Sequence, residues 1–215
     1  LASITIPNSV EEIGAGAFEQ CYGLTSISIP NDVDGIEDAT FKGCSALTEI
    51  SIPDSVTNIG NEAFSGCTGL TTITIPDNVK NIGNEAFSGC TSLTAFNIPT
   101  GISTIADKTF AGCSSLAGIG ISRNNNNFRF EAGVLYDNTK ENIYSYLSAN
   151  PYDNYYIPNS VKNISPFSFW GNNQLNEVYL SSSLESIPAY AFSNCRNLKV
   201  VQIPYSVDSI DAKAF

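Results

Sequence analysis

The chain has no histidine and no methionine, a single tryptophan, and ten basic residues against twenty-one acidic ones. Each shortage closes off a class of function. Without histidine the commonest general base near neutral pH is missing, and with it the His-dependent triads of nucleophilic catalysis. A formal charge of -11 repels the phosphate backbone of nucleic acids and disfavours anionic membrane surfaces. No apolar run reaches the roughly 18 residues that signal a membrane-spanning helix, and residues 1–7 lack the basic and apolar regions of a secretory signal. No clustered glycine loop is present to cradle a phosphate, since Gly14, Gly60 and Gly83 lie far apart. Paired carboxylates could still act on a glycosidic bond if held about 5 to 9 Å apart. Here Asp54 and Asp77, like Glu62 and Glu85, recur at equivalent positions, which is the pattern of a solvated face. These readings point to a protein that is not an enzyme and needs no metal or cofactor. The missing methionine, with ends that fall inside a repeat, suggests a piece of a longer polypeptide.

What is present is a repeat. With 42% hydrophobic residues the chain can bury a core, and that content is periodic. Leu1, Leu24, Leu47, Leu70, Leu93 and Leu116 recur at one constant interval, and Leu175 and Leu198 resume it after one interruption. Phe18, Phe41, Phe64, Phe87 and Phe110 keep the same frame, followed by Phe169, Phe192 and Phe215. Each unit reads L-x-x-I-x-I-P-x-x-V-x-x-I-g-x-x-A-F-x-x-C-x-x, as from Leu70 to Ser92. A unit this short cannot bury so many large side chains by itself, so the units must stack into one core. The stretch around Ile27 and Ile29 alternates apolar with hydroxyl residues and ends at Pro30, which predicts one short strand per turn. The half from Val10 to Cys21 predicts a second extended piece and a helical turn. The fold class is therefore an α/β repeat solenoid, a right-handed superhelix of about nine turns forming one domain over residues 1–215, with a longer hairpin-containing repeat at 121–156.

Cys21, Cys44, Cys67, Cys90, Cys113 and Cys195 share one repeat position, with Asn172 as the exception. Stacked side chains sit near the strand spacing of about 4.8 Å, longer than the roughly 3.8 Å between the Cβ atoms of a disulfide. The expectation is a column of buried free thiols. A straight column also cannot converge on a tetrahedral zinc.

The pattern resembles the BspA-like, or Treponema-type, bacterial leucine-rich repeats, and the resemblance covers nearly the whole chain. It implies a surface-exposed or secreted protein, a module that adheres to host proteins, glycans or other cells. The competing reading is a stiff spacer that presents another domain. Because neither end carries a polar cap, end-to-end self-association is also expected.

The interruption lengthens the unit that runs between Ile121 and Ile157. Val134 to Tyr136 and Ile143 to Leu147, joined by Asp137 and Asn138, predict a β-hairpin, and Asn124 to Asn127 an exposed loop. Six of the ten tyrosines lie here: Tyr136, Tyr144, Tyr146, Tyr152, Tyr155 and Tyr156. Such rings either seal the hairpin against the solenoid, as the frame predicts for Tyr152 and Tyr155, or serve an interface. Outward strand positions are small hydroxyls in the early turns and change later to Asn154 and Tyr156, then Glu177 and Tyr179, then Val200 and Gln202. Tyr156 and Tyr179 are expected to stack on consecutive strands beside a bare strand of Gly118 and Gly120. Trp170 occupies the frame of Ser65, Ser88 and Ser193, an exposed position. The candidate binding site is thus Asn154, Tyr156, Trp170, Glu177, Tyr179 and Gln202.

Overall fold

Parallel pairing at a constant offset of one repeat organises the backbone. In the computed structural model, which describes residues 1–215, β1 (Ser26–Ser28) pairs with β3 (Glu49–Ser51) so that Ile27 lies opposite Ile50. On a second side of each turn, β2 (Gly35–Ile36), β4 (Asn58–Ile59) and β5 (Asn81–Ile82) form another parallel sheet. β6 (Ala95–Ile98) and β7 (Gly118–Ile121) continue the pattern. The molecule is a β-solenoid of about 8 turns in two units, Leu1–Asn127 and Phe128–Phe215.

No helix forms, so the α component expected from the sequence gives way to a chain of tight turns. The reason is backbone handedness. In the first unit Gly16, Ala39, Glu62, Glu85 and Lys108 all have φ between 54° and 66°. Gln20, Gly43, Gly66, Gly89 and Gly112 repeat this four residues later, with φ between 59° and 74°. Left-handed residues cannot continue a right-handed helix and cost roughly 1–2 kcal/mol each without glycine. The freed amides bond forward to the next turn instead: Phe41 N–H to Ala63 C=O at 2.8 Å and Gly43 N–H to Ser65 C=O at 2.7 Å, with the same bonds at Phe64 and Gly66. Backbone groups that a helix would satisfy internally are satisfied between repeats.

The like-over-like columns are buried in the first unit. Leu24, Leu47, Leu70 and Leu93 are fully inaccessible, as are Phe41, Phe64 and Phe87, whose rings stack at 5.4 Å. The cysteines are free thiols rather than disulfides. Each buried sulfur donates to the phenylalanine carbonyl 26 residues back, as Cys67 Sγ to Phe41 O at 3.1 Å and Cys90 Sγ to Phe64 O at 3.2 Å. Burial pushes the thiols of Cys67 and Cys113 up to about 12, and that of Cys44 up to about 11. Since the thiolate is the reactive form, Cys44, Cys67, Cys90 and Cys113 are expected to resist DTNB at pH 8 until denaturant is added, while the half-buried Cys21 reacts. Rapid titration of all the thiols in native buffer contradicts this burial.

The second unit begins with an antiparallel meander of β8 (Phe128–Glu131), β9 (Val134–Asp137) and β10 (Asn142–Tyr146). Ala132 and Gly133, at φ 49° and 79°, make the two-residue turn between β8 and β9, where both positions require a left-handed backbone. The β9–β10 turn is tied by Asp137. Burial raises its carboxyl, but bonds from the Thr139 hydroxyl, the Asn142 and Glu141 amides and the Asn142 side chain outweigh it and hold the group below its usual value. β10 then pairs in parallel with β12 (Asn163–Ile164), which brings the meander into register with the solenoid. Beyond it lie the three-stranded sheet of β11 (Asn154–Tyr156), β13 (Glu177–Tyr179) and β15 (Val200–Gln202), and the pair β14 (Ser186–Ile187) and β16 (Ser209–Ile210).

Asn124 to Asn127, expected as an exposed loop, contains one buried member, Asn125. Its Nδ2 donates to Pro99 O and Ile102 O at 2.8 Å, and its Oδ1 accepts from the Asn127 amide at 2.9 Å. Asn150 and Asn172 are buried in the same manner, each with its carboxamide oxygen facing the amide two residues on. Asn125 and Asn172 also do what the thiols do elsewhere, donating to a carbonyl of the preceding turn, whereas Asn150 donates to Ala132 O in the β8–β9 turn at 2.7 Å.

Candidate functional site

The sheet register fixes the site. Tyr156 on β11 lies opposite Tyr179 on β13, which lies opposite Gln202 on β15, and the second row runs Asn154, Glu177 and Val200. The residues between them, Tyr155, Val178 and Val201, face the core. Alternation along a strand therefore sends Asn154, Tyr156, Glu177, Tyr179 and Gln202 to one outer face. The Tyr156 and Tyr179 rings stack with centroids 4.3 Å apart and planes 8° from parallel. Tyr156 is 66% exposed while Tyr179 is half-buried, so the stack covers one face of Tyr156 and leaves the other to solvent. Tyr179 Oη donates to Glu177 Oε2 at 2.7 Å. That bond, which needs the phenol proton, pushes Tyr179 up to about 12, with the Glu177 charge adding to it. Tyr179 is thus a neutral donor that fixes Glu177 beside the stack.

Trp170 is not in this row. It is half-buried in the turn segment that follows β12, where its amide bonds to Phe167 C=O at 3.0 Å. On that turn side Phe167 stacks on Tyr190 at 4.7 Å, and Lys213 Nζ lies 5.5 Å from the Tyr190 centroid. Sequence reasoning missed this ladder, although Phe167, Tyr190 and Lys213 follow one another one repeat apart in the frame of Glu62 and Glu85. The glycine strand is also elsewhere: Gly118 and Gly120 lie on β7 of the first unit, which pairs with β6 and not with β11.

The remaining tyrosines divide. Tyr136 and Tyr146 are buried and Tyr155 is packed against the same core, with Tyr146 stacked on Phe169 at 5.2 Å and the Tyr136 and Tyr155 hydroxyls in contact. Burial pushes all three phenols up, so they stay neutral. Tyr152, expected to seal the hairpin from the leucine position, is instead 58% exposed. Asn150, two residues earlier, takes the buried corner and directs its oxygen at the Tyr152 amide, 3.4 Å away. No three carboxylate or thiol groups are placed to hold a metal ion, and no helix is long and apolar enough to cross a membrane.

Parallel strands stacked one repeat apart over columns of leucine and phenylalanine, with only the outward positions varied, define a leucine-rich-repeat solenoid. The chain belongs to the BspA type leucine-rich-repeat family, whose model matches residues 1–117 and 134–215 in 6 copies. The unmatched stretch between them contains β7, β8 and the buried Asn125. Among solved structures, the pneumococcal vaccine antigen PcpA is similar with a TM-score of 0.78 and 25% identity, over 94% of this chain and 60% of that one. A leucine-rich cell surface protein of Faecalibacterium prausnitzii gives 0.72 and 28% identity, over 100% of this chain and 70% of its own. A leucine-rich-repeat protein of Bacteroides ovatus gives 0.65 and 28% identity, over 98% and 63%. The chain therefore spans less than two thirds of the length of PcpA. Comparison with curated proteins gave no match.

Proposed function

We propose that this chain is a non-catalytic binding module, secreted or held at a cell surface, whose outer row of Asn154, Tyr156, Glu177, Tyr179 and Gln202 contacts a protein or glycan of a host or of another cell. The observation that carries this reading is Tyr156, a large aromatic side chain 66% exposed and pre-ordered by stacking on Tyr179. Rigid amphipathic rings supply contact area with little loss of rotamer freedom, which is why tyrosine anchors interfaces. The similarity to a vaccine antigen and to a cell surface protein supports the location.

The test is an array of extracellular-matrix proteins and glycans probed with the purified chain and with the Tyr156→Ala/Tyr179→Ala variant. Both changes lie on the outer face, so the melting temperature is expected to hold while affinity for a captured partner falls by about tenfold or more. Equal affinity of the two proteins for that partner removes the row as its site. In the first unit the outer positions of β1 and β3 are Ser26, Ser28, Glu49 and Ser51, which include no aromatic ring and offer no comparable anchor. A spacing role for that unit is consistent with the binding role of the second.

A further inference from the structure

We infer that the tyrosine row takes a cationic side chain, the guanidinium or ammonium of a basic segment on a protein partner. This rests on the binding role proposed above and narrows it. An aromatic face carries negative potential and attracts a cation placed over it. Tyr156 offers such a face, because Tyr179 covers the other and the ring is 66% exposed on β11, an edge strand of its sheet. Glu177 lies opposite Asn154 on the neighbouring strand, on the Tyr179 side of the stack, with Oε2 held by Tyr179 Oη at 2.7 Å. No lysine or arginine occupies any of the six outward positions of β11, β13 and β15.

The adjoining positions sharpen the polarity. The residues just before the three strands are Asp153, Asn176 and Lys199. The acid stands at the Tyr156 end and the base two strands away, roughly 10 Å at the usual strand spacing. Glu177, across the stack on β13, and Asp153, just before β11, make the field at the Tyr156 end negative, which attracts a cation to the open ring face and repels an anion. Asn154, exposed beside Tyr156, adds a carbonyl acceptor for guanidinium N–H groups. The formal charge of -11 on the whole chain steers basic partners toward it. An acidic glycan, or a neutral one held by its hydroxyls, fits this arrangement less well.

The experiment titrates the folded chain with a capped peptide of alternating glycine and arginine, with the same peptide carrying citrulline, and with cellohexaose, following the ring resonances of Tyr156 and Tyr179 by NMR. The arginine peptide is expected to shift both rings and to bind about tenfold more tightly than the citrulline peptide, which keeps the shape and loses the charge. Glu177→Gln is expected to weaken it about fivefold or more, and Tyr156→Leu similarly. Glu185→Gln removes the same charge from the exposed Glu185, outside the row, and is expected to stay within about twofold. Equal binding of the two peptides, equal effects of the two glutamate variants, stronger binding of cellohexaose, or no ring shift with the arginine peptide each overturns the assignment. If a partner captured on the array still depends on Tyr156 and Tyr179 while the arginine peptide fails, the cation assignment falls and the binding role stands. If that dependence is absent as well, both fall.

Discussion

Phe64→Ala is expected to destabilise the first unit by about 3 to 5 kcal/mol, the range for removing a fully buried phenylalanine without collapse of the site. Phe64 is fully inaccessible, and its ring lies between those of Phe41 and Phe87 at 5.4 Å on each side. The void cannot close by drawing the neighbouring turns together, because backbone bonds such as Phe41 N–H to Ala63 C=O and Phe64 N–H to Ala86 C=O, both 2.8 Å, hold the turns apart. Each ring is therefore a partner to both neighbours, and its loss is felt on both. Urea unfolding followed by circular dichroism measures the effect, and Phe64→Leu, which keeps most of the volume, is expected to cost less than about 1.5 kcal/mol. A loss below about 1 kcal/mol for the alanine variant shows that the aromatic column does not carry the stability assigned to it.

Asn172→Ala is expected to cost about 2 to 3 kcal/mol in the second unit, through polar groups rather than volume. Asn172 is fully inaccessible, and its Oδ1 accepts the amides of Gln174 and Leu175, both at 2.9 Å. Leu175 is itself fully buried, so its amide has no water to turn to once the carboxamide is gone. In the thiol-bearing turns the matching leucine amide bonds to the cysteine carbonyl, as Leu198 to Cys195 at 3.1 Å. Asn172→Cys is accordingly expected to recover part of the loss, since a thiol can donate to the preceding turn but the amides must find the backbone carbonyl. Thermal melts of the three proteins decide this. An alanine variant as stable as the parent shows that Asn172 fills space and ties nothing.

These two residues also mark how far the sequence could be read. Phe64 is legible because its column recurs at one period, and a column of equal apolar residues has only one way to be buried. Asn172 was recognised as the exception in the cysteine column, yet nothing in the spacing tells whether a carboxamide there faces water or ties the corner. Asn125 falls at the valine position of the Leu116 unit, one repeat after Ile102, but as a polar residue among Asn124 to Asn127 it reads as loop, and Asn150 lies within the interruption. The FRFE strand β8 was missed, although its alternation and the following Ala132-Gly133 turn were present to be seen.

The sequence by itself determined the repeat, the parallel register of one repeat per strand, the buried leucine, phenylalanine and cysteine columns, and the pairing of Tyr156 with Tyr179. These follow from period alone, since identical units stacked in register place like side chains over like. Tertiary structure decided what period cannot encode. It replaced the helical turn by left-handed pairs at Glu62 and Gly66 and their counterparts, because amides bonded to the next repeat are better served than those of a single isolated helical turn. It also turned Tyr152 outward, set Trp170 on the turn side with Phe167, and fixed the Glu177 carboxylate against the Tyr179 hydroxyl. Those outcomes depend on which groups find partners across neighbouring turns, and such partners are defined only once the chain has wound upon itself.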